Sequence, residues 1–166
     1  EEILPYYTDI RRGRPPTEEQ LADLKARYDA IGGISPLAAR TEAQRDALQR
    51  ALDTIAPEKF VVQLGLKHAH PMIEETVDDL ARQGIKNIVA LVLAPHFSSY
   101  SIGQYVGRAQ AAAEPHGITV VGVESWAIEP AFIDFLATDM AAKKAAMPER
   151  TRVLFTAHSL PQRIID

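Results

Sequence analysis

The sequence predicts an α/β fold, a doubly wound parallel sheet with helices on both faces. From residue 60 onward, short apolar runs alternate with helical patterns, the signature of repeated strand–helix–strand units. Residues 88–93 and 119–123 are nearly unbroken apolar stretches, as burial on both faces of a parallel sheet requires. The 166 residues are 46% hydrophobic and 24% charged, enough apolar side chain for one globular core.

Each element has its own local signal. Thr17-Glu18-Glu19-Gln20 after Pro15-Pro16 is a capping box, in which the threonine hydroxyl and the glutamine amide satisfy each other's free backbone donors. A helix follows to about Ile31 and stops at Gly32-Gly33. Ser35-Pro36 starts the next, with Leu37, Leu48, Leu52 and Ile55 close to one face and Pro57 ending the pattern. The alternation then runs strand Phe60 to Leu66, helix Pro71 to Gln83, strand Ile88 to Leu93 and helix Ser101 to Glu114. Strand Thr119 to Val123, helix Pro130 to Ala146 and strand Val153 to Phe155 complete it.

Composition removes several function classes. A formal net charge of −4 gives no global attraction for polyphosphate, so no nucleic-acid partner is expected. The absence of cysteine excludes disulfides and thiolate metal sites, leaving histidine and carboxylate as ligands. No apolar run approaches the roughly 18 residues of a membrane-spanning helix, and Glu1-Glu2-Ile3-Leu4-Pro5 is not a signal peptide, so no integral membrane segment and a cytoplasmic setting are expected.

Ligands of open parallel sheets bind beyond the carboxyl ends of the strands. His68, His96, Glu124 and His158 each follow an apolar strand pattern, which puts three of the five histidines on one rim. Imidazole there serves as a metal ligand or proton acceptor, or as a hydrogen-bonded structural residue. His116, before Gly117, reads as a helix-end residue, and His70 fits either description. Tyr6-Tyr7-Thr8-Asp9-Ile10-Arg11-Arg12-Gly13-Arg14 is the densest basic segment, beside prolines that forbid a long helix. It reads equally as a solvated loop or as a clamp whose arginine forks bind carboxylates bidentately. Arg27 complements a helix C-terminus, and Gly32-Gly33-Ile34-Ser35 offers backbone donors and a hydroxyl to an anion without the phosphate-loop glycine spacing. Ser98-Ser99-Tyr100-Ser101 lacks a nucleophile elbow and reads as a helix cap, and Trp126 as packing or as a wall for a flat ligand.

Together, several of these segments resemble the ferrochelatases. They are Tyr6 to Arg14, Ile31-Gly32-Gly33-Ile34-Ser35-Pro36-Leu37, Gly65-Leu66-Lys67-His68, Leu93-Ala94-Pro95-His96-Phe97-Ser98, Glu124-Ser125-Trp126 and Ala157-His158-Ser159-Leu160-Pro161. The basic segment and the Ala-Pro-His-Phe-Ser turn look most like the coproporphyrin III enzymes of monoderm and actinobacterial type. The resemblance implies a lyase of heme biosynthesis that inserts ferrous iron into a porphyrin with loss of two pyrrole protons. Iron is then a substrate, and no prosthetic group is implied. His158 matches the family's active-site histidine, as iron ligand, proton acceptor or both; Arg11, Arg27, Tyr28, Ser35 and Tyr105 match positions that contact the porphyrin.

Family members are about twice this length, with two similar α/β halves closing over the porphyrin. The expected division is residues 1–150 as the first domain, without its first strand, and 151–166 as the start of the second. The carboxylate opposing His158 would come from the second half or from a second copy of the chain. A half-size chelatase active as a homodimer, and a non-catalytic tetrapyrrole-binding protein, are the alternatives.

Overall fold

The computed structural model describes residues 3–11, 13–33 and 35–156. The chain divides after Asp79 into two compact units.

The first unit opens with helix α1 (Ile3–Ile10), a short helix that takes in the start of the segment read as a solvated loop or an arginine clamp. Pro5 falls within the first turn, where its missing N–H costs no helical bond, and Pro15-Pro16 lie beyond the end. Gly13, at φ 80°, caps the Thr8 carbonyl at 2.9 Å from the left-handed region that favours glycine. Helix α2 (Glu18–Ala30) begins with the expected capping box: Gln20 N–H donates to the Thr17 hydroxyl at 3.2 Å and Thr17 N–H to the Gln20 side chain at 3.1 Å. Helix α3 (Leu37–Ile55) is started by the Ser35 hydroxyl, which accepts from Leu37 N–H at 3.2 Å. Of its expected apolar face, Leu48 and Leu52 are half-buried, while Leu37 and Ile55 are exposed.

Residues 60–65 form no strand among the described residues, contrary to expectation. The Gln49 side chain takes the place of a neighbouring strand, donating to Phe60 O at 3.0 Å and accepting from Val62 N–H at 2.7 Å. The segment ends in a single parallel bridge, Leu66 to Met72. Gly65 eases the close approach there, since a Cβ would lie 3.1 Å from the Ile73 backbone. Helix α4 (Ile73–Arg82) follows, burying Ile73, Val77 and Leu80 at helical spacing.

The second unit holds the sheet. Strands β1 (Asn87–Leu91) and β2 (Thr119–Val123) pair in parallel, with Asn87 opposite Thr119 and Leu91 opposite Val123. Between them run a π-helical turn (Ser99–Gly103), helix α5 (Gln104–Ala113) and a 3-10 turn (Glu114–His116) closed by Gly117 at φ 63°. His116 is a helix-end residue, as its place before Gly117 suggested.

Helix α5 covers one face of the pair. Val106 lies so close to Gly122 that a Cβ there would meet its methyls at 2.7 and 2.8 Å. Ile102, Ala109, Ala113 and Ile118 are buried with Leu80. The other face is open, with Val89 63% and Val121 60% exposed, so burial on both faces is not realised among the described residues. Helix α6 (Pro130–Ala145) buries no side chain. Val153 to Phe155, expected as a strand, joins no ladder, and Leu154 and Phe155 are exposed. The architecture described is thus α/β with a small parallel sheet and helices.

Candidate functional site

In the first unit, the turns around α1 and α2 assemble the basic groups. Arg11 N–H continues the last turn of α1 onto Tyr7 O at 3.3 Å, and its guanidinium carbon sits 5.6 Å from the Tyr7 ring centroid, a cation–π geometry. Its Nε donates to Arg14 O at 3.3 Å. The fork is thus held in place while its terminal amines stay available to an anion.

Arg27, in the last turn of α2, pairs with Asp23 one turn earlier. That hydrogen bond and then the Asp23 charge hold Arg27 above its ordinary value despite slight desolvation. Tyr28 is half-buried, and its carbonyl takes Gly33 N–H at 2.8 Å, which folds the Gly32-Gly33 turn at φ 96° and 83° against the end of α2. Ser35, half-buried beyond that turn, uses its hydroxyl oxygen as the α3 cap and keeps its own O–H to donate.

After the extended segment, His68 and Asp9 meet, Nδ1 to Oδ2, at 2.6 Å. The His70 ring faces both oxygens of Glu75 at 2.9 and 3.0 Å, and Met72 N–H donates to Glu75 at 2.8 Å. These two donors, the imidazole first, hold the Glu75 carboxyl below its usual 4.5. A lowered folded value means stability that is present above the ordinary glutamate range and lost as pH falls through the depressed value. Glu75→Gln is therefore expected to flatten the acid limb of thermal stability between about pH 6 and pH 3. Tm measured across that range tests it, and an unchanged slope refutes it.

In the second unit the turns beyond β1 and β2 lock together. Ser125 Oγ donates to Pro95 O at 2.8 Å, Trp126 N–H to the same carbonyl at 3.1 Å, and Trp126 Nε1 to Val92 O at 3.0 Å. Phe132 meets the indole edge-on at 4.8 Å, so Trp126 is a packing residue here. The lock fixes the turn bearing His96, after which Ser98 caps the π-turn by accepting Ser101 N–H at 3.1 Å, the capping role its sequence suggested. Tyr105, half-buried, lies in the first turn of α5. In the same unit a hollow of about 270 Å³ is lined by Phe97, Ile102, Val106, Gln110 and Glu124, without Tyr105. That is below the roughly 300–1,000 Å³ of small-molecule pockets and too small for a tetrapyrrole.

Of the sequence-derived site residues, Arg11, Arg27, Tyr28 and Ser35 belong to the first unit and Tyr105 to the second. His158 lies outside the described residues. Among the described residues, no three histidine or carboxylate side chains are grouped to hold a metal ion. Sequence reasoning missed the Asp9–His68 pair, because 59 residues separate partners that share no motif. The five-residue spacing of His70 and Glu75 was a visible signal that went unused.

The ferrochelatase family model matches residues 6–166. The chain belongs to the ferrochelatase family. Among curated relatives, the coproporphyrin III ferrochelatase of Oceanobacillus iheyensis is 49% identical over 170 residues, covering 99% of this chain and 54% of that protein. The enzyme of that name from Geobacillus kaustophilus is 47% identical over 172 residues, again covering 54% of its length. The one from Staphylococcus epidermidis is 44% identical over 170 residues, covering 55% of its length. The chain thus spans about half the length of the curated ferrochelatases it matches.

Proposed function

We propose that this chain supplies one α/β half of a lyase that inserts ferrous iron into a porphyrin in heme biosynthesis, with coproporphyrin III as the favoured substrate. The observation that carries this reading is 44–49% identity, over nearly the whole chain, to enzymes named coproporphyrin III ferrochelatase. The site chemistry is compatible with it. Coproporphyrin III carries four carboxylates, and the Arg11 fork held over Tyr7 leaves amine donors for one of them. Arg27, Tyr28, Ser35 and Tyr105 are proposed as further porphyrin contacts. Arg27 would exchange Asp23 for the substrate's carboxylate, an exchange of like for like that costs little at an exposed site.

In this reading His158 binds the incoming iron or takes up the pyrrole protons it displaces. Iron enters as substrate and leaves in the product, and no resident prosthetic group is invoked. Because the chain spans about half the length of its relatives, a second half or a second copy is proposed to close the site and face His158. Residues 151–166 would then open the second domain. The doubly wound sheet is proposed for the closed protein, with 60–66 and 153–155 as its further strands. The open face of β1 and β2 supports this. A cytoplasmic setting is proposed with it; no described helix is long and apolar enough to cross a membrane.

The test is conversion of coproporphyrin III to its iron complex by the full-length protein, followed by absorbance. Binding of both the free and the metallated porphyrin without interconversion would replace this reading with a carrier function. Arg11→Ala is expected to weaken coproporphyrin binding by about 10-fold or more, the worth of a hydrogen bond to a charged group. Arg11→Lys should recover only part of it, since lysine lacks the fork. Unchanged affinity in Arg11→Ala would remove Arg11 from the site.

A further inference from the structure

Helix α1 has no fully buried side chain among those described, and Arg11 stands just past its last residue. One of the helix's side-chain bonds runs from Asp9 to His68, at 2.6 Å, across 59 residues of sequence. Asp9 stands two residues before Arg11, roughly 3 Å along the helix axis at 1.5 Å per residue. His68 in turn follows directly on the extended segment that Gln49 grips and that the Leu66 to Met72 bridge closes. The pair therefore ties the lightly packed helix behind Arg11 to an anchored turn.

A carboxylate two residues from a carboxylate-binding arginine is otherwise unhelpful, since its charge opposes that of the ligand. Its short bond to an imidazole, charge-assisted through the carboxylate, is the compensating gain. We propose that Asp9 and His68 are positioning residues, which hold α1 so that the Arg11 guanidinium meets a porphyrin carboxylate. This rests on the reading of Arg11 as a porphyrin ligand and assigns neither Asp9 nor His68 a contact with the reacting atoms.

The experiment uses the full-length enzyme and two readouts. One is the Kd of metal-free coproporphyrin III from fluorescence quenching, and the other is KM and kcat for iron insertion. Asp9→Ala is expected to raise Kd and KM about 3- to 5-fold, the upper range for a partly exposed ion pair, with kcat within about two-fold. His68→Phe should do the same, and the double variant should be no worse than either single one. Asp9→Asn keeps the acceptor without the charge and should restore affinity. The tetramethyl ester of coproporphyrin, which offers Arg11 no carboxylate, should bind wild type and Asp9→Ala alike.

Three results would overturn the proposal: unchanged affinity in Asp9→Ala, tighter binding in both Asp9→Ala and Asp9→Asn, or a loss of kcat and Tm with KM unchanged. The second would make Asp9 a mere repulsive charge, and the third a residue needed only for folding. Wild-type enzyme that converts coproporphyrin while Asp9→Ala behaves identically sinks this inference alone. Wild-type enzyme that neither binds nor converts it sinks the proposed function and this inference together.

Discussion

His158→Ala in the full-length enzyme is expected to lower kcat for iron insertion by about 100- to 10,000-fold, the range of a lost acid–base group. Affinity for coproporphyrin should change little, because the proposed carboxylate ligands lie elsewhere in the chain. The reasoning is chemical. Metal insertion replaces two N–H protons by one divalent ion, so the site must accept protons and steady a cation at the same macrocycle. Neutral imidazole does either through a single nitrogen lone pair, and protonation of that nitrogen removes both capacities. The rate of the wild-type enzyme should therefore decline toward acid pH, where imidazole takes up a proton. The residual rate of His158→Ala should lack that decline. Parallel measurement of kcat against pH in both proteins separates this role from a structural one. Near-normal turnover in His158→Ala would leave the proposed mechanism without its centre.

What the sequence made legible follows from how local each signal is. The α2 capping box involves atoms three residues apart, and the structure forms both of its hydrogen bonds. The β1 and β2 runs are apolar enough to mark themselves, and they pair in register as parallel strands. Residues 60–66 carry the same apolar signal, yet strand formation needs a neighbouring backbone, and here a single side-chain amide from Gln49 takes that position. Helix α1 was hidden for a different reason. Its nearby prolines read as helix breakers, but one sits in the first turn and the others beyond the last, where neither interrupts a hydrogen bond. Arg11 and Arg27 were recognisable as candidates by their chemistry and by the family resemblance. Their supports were not, because Tyr7 beneath Arg11 and Asp9 against His68 depend on how α1 lies. Spacing along the chain carries no such information.

Ile102→Ala is expected to cost about 2–5 kcal/mol of stability, the largest effect of any single truncation in the described core. Ile102 is 1% exposed and sits in the π-turn that feeds α5. Removing its side chain deletes buried apolar area and also leaves a void. The adjoining hollow of about 270 Å³ leaves the packing on that side of Ile102 already incomplete. The contrast with Ile128 isolates burial from residue type. Ile128 is 88% exposed, and Ile128→Ala should stay within about 0.5 kcal/mol of wild type. Chemical denaturation of both variants decides the matter, with the midpoint falling for Ile102→Ala at an unchanged slope. Equal losses would mean that the α5 face of the sheet is not where this unit keeps its core. The same truncation reaches the candidate site, because the π-turn passes directly into the helical turn that bears Tyr105. Weaker coproporphyrin binding in Ile102→Ala, under conditions where the variant remains folded, would connect the packing of that turn to the presentation of the tyrosine.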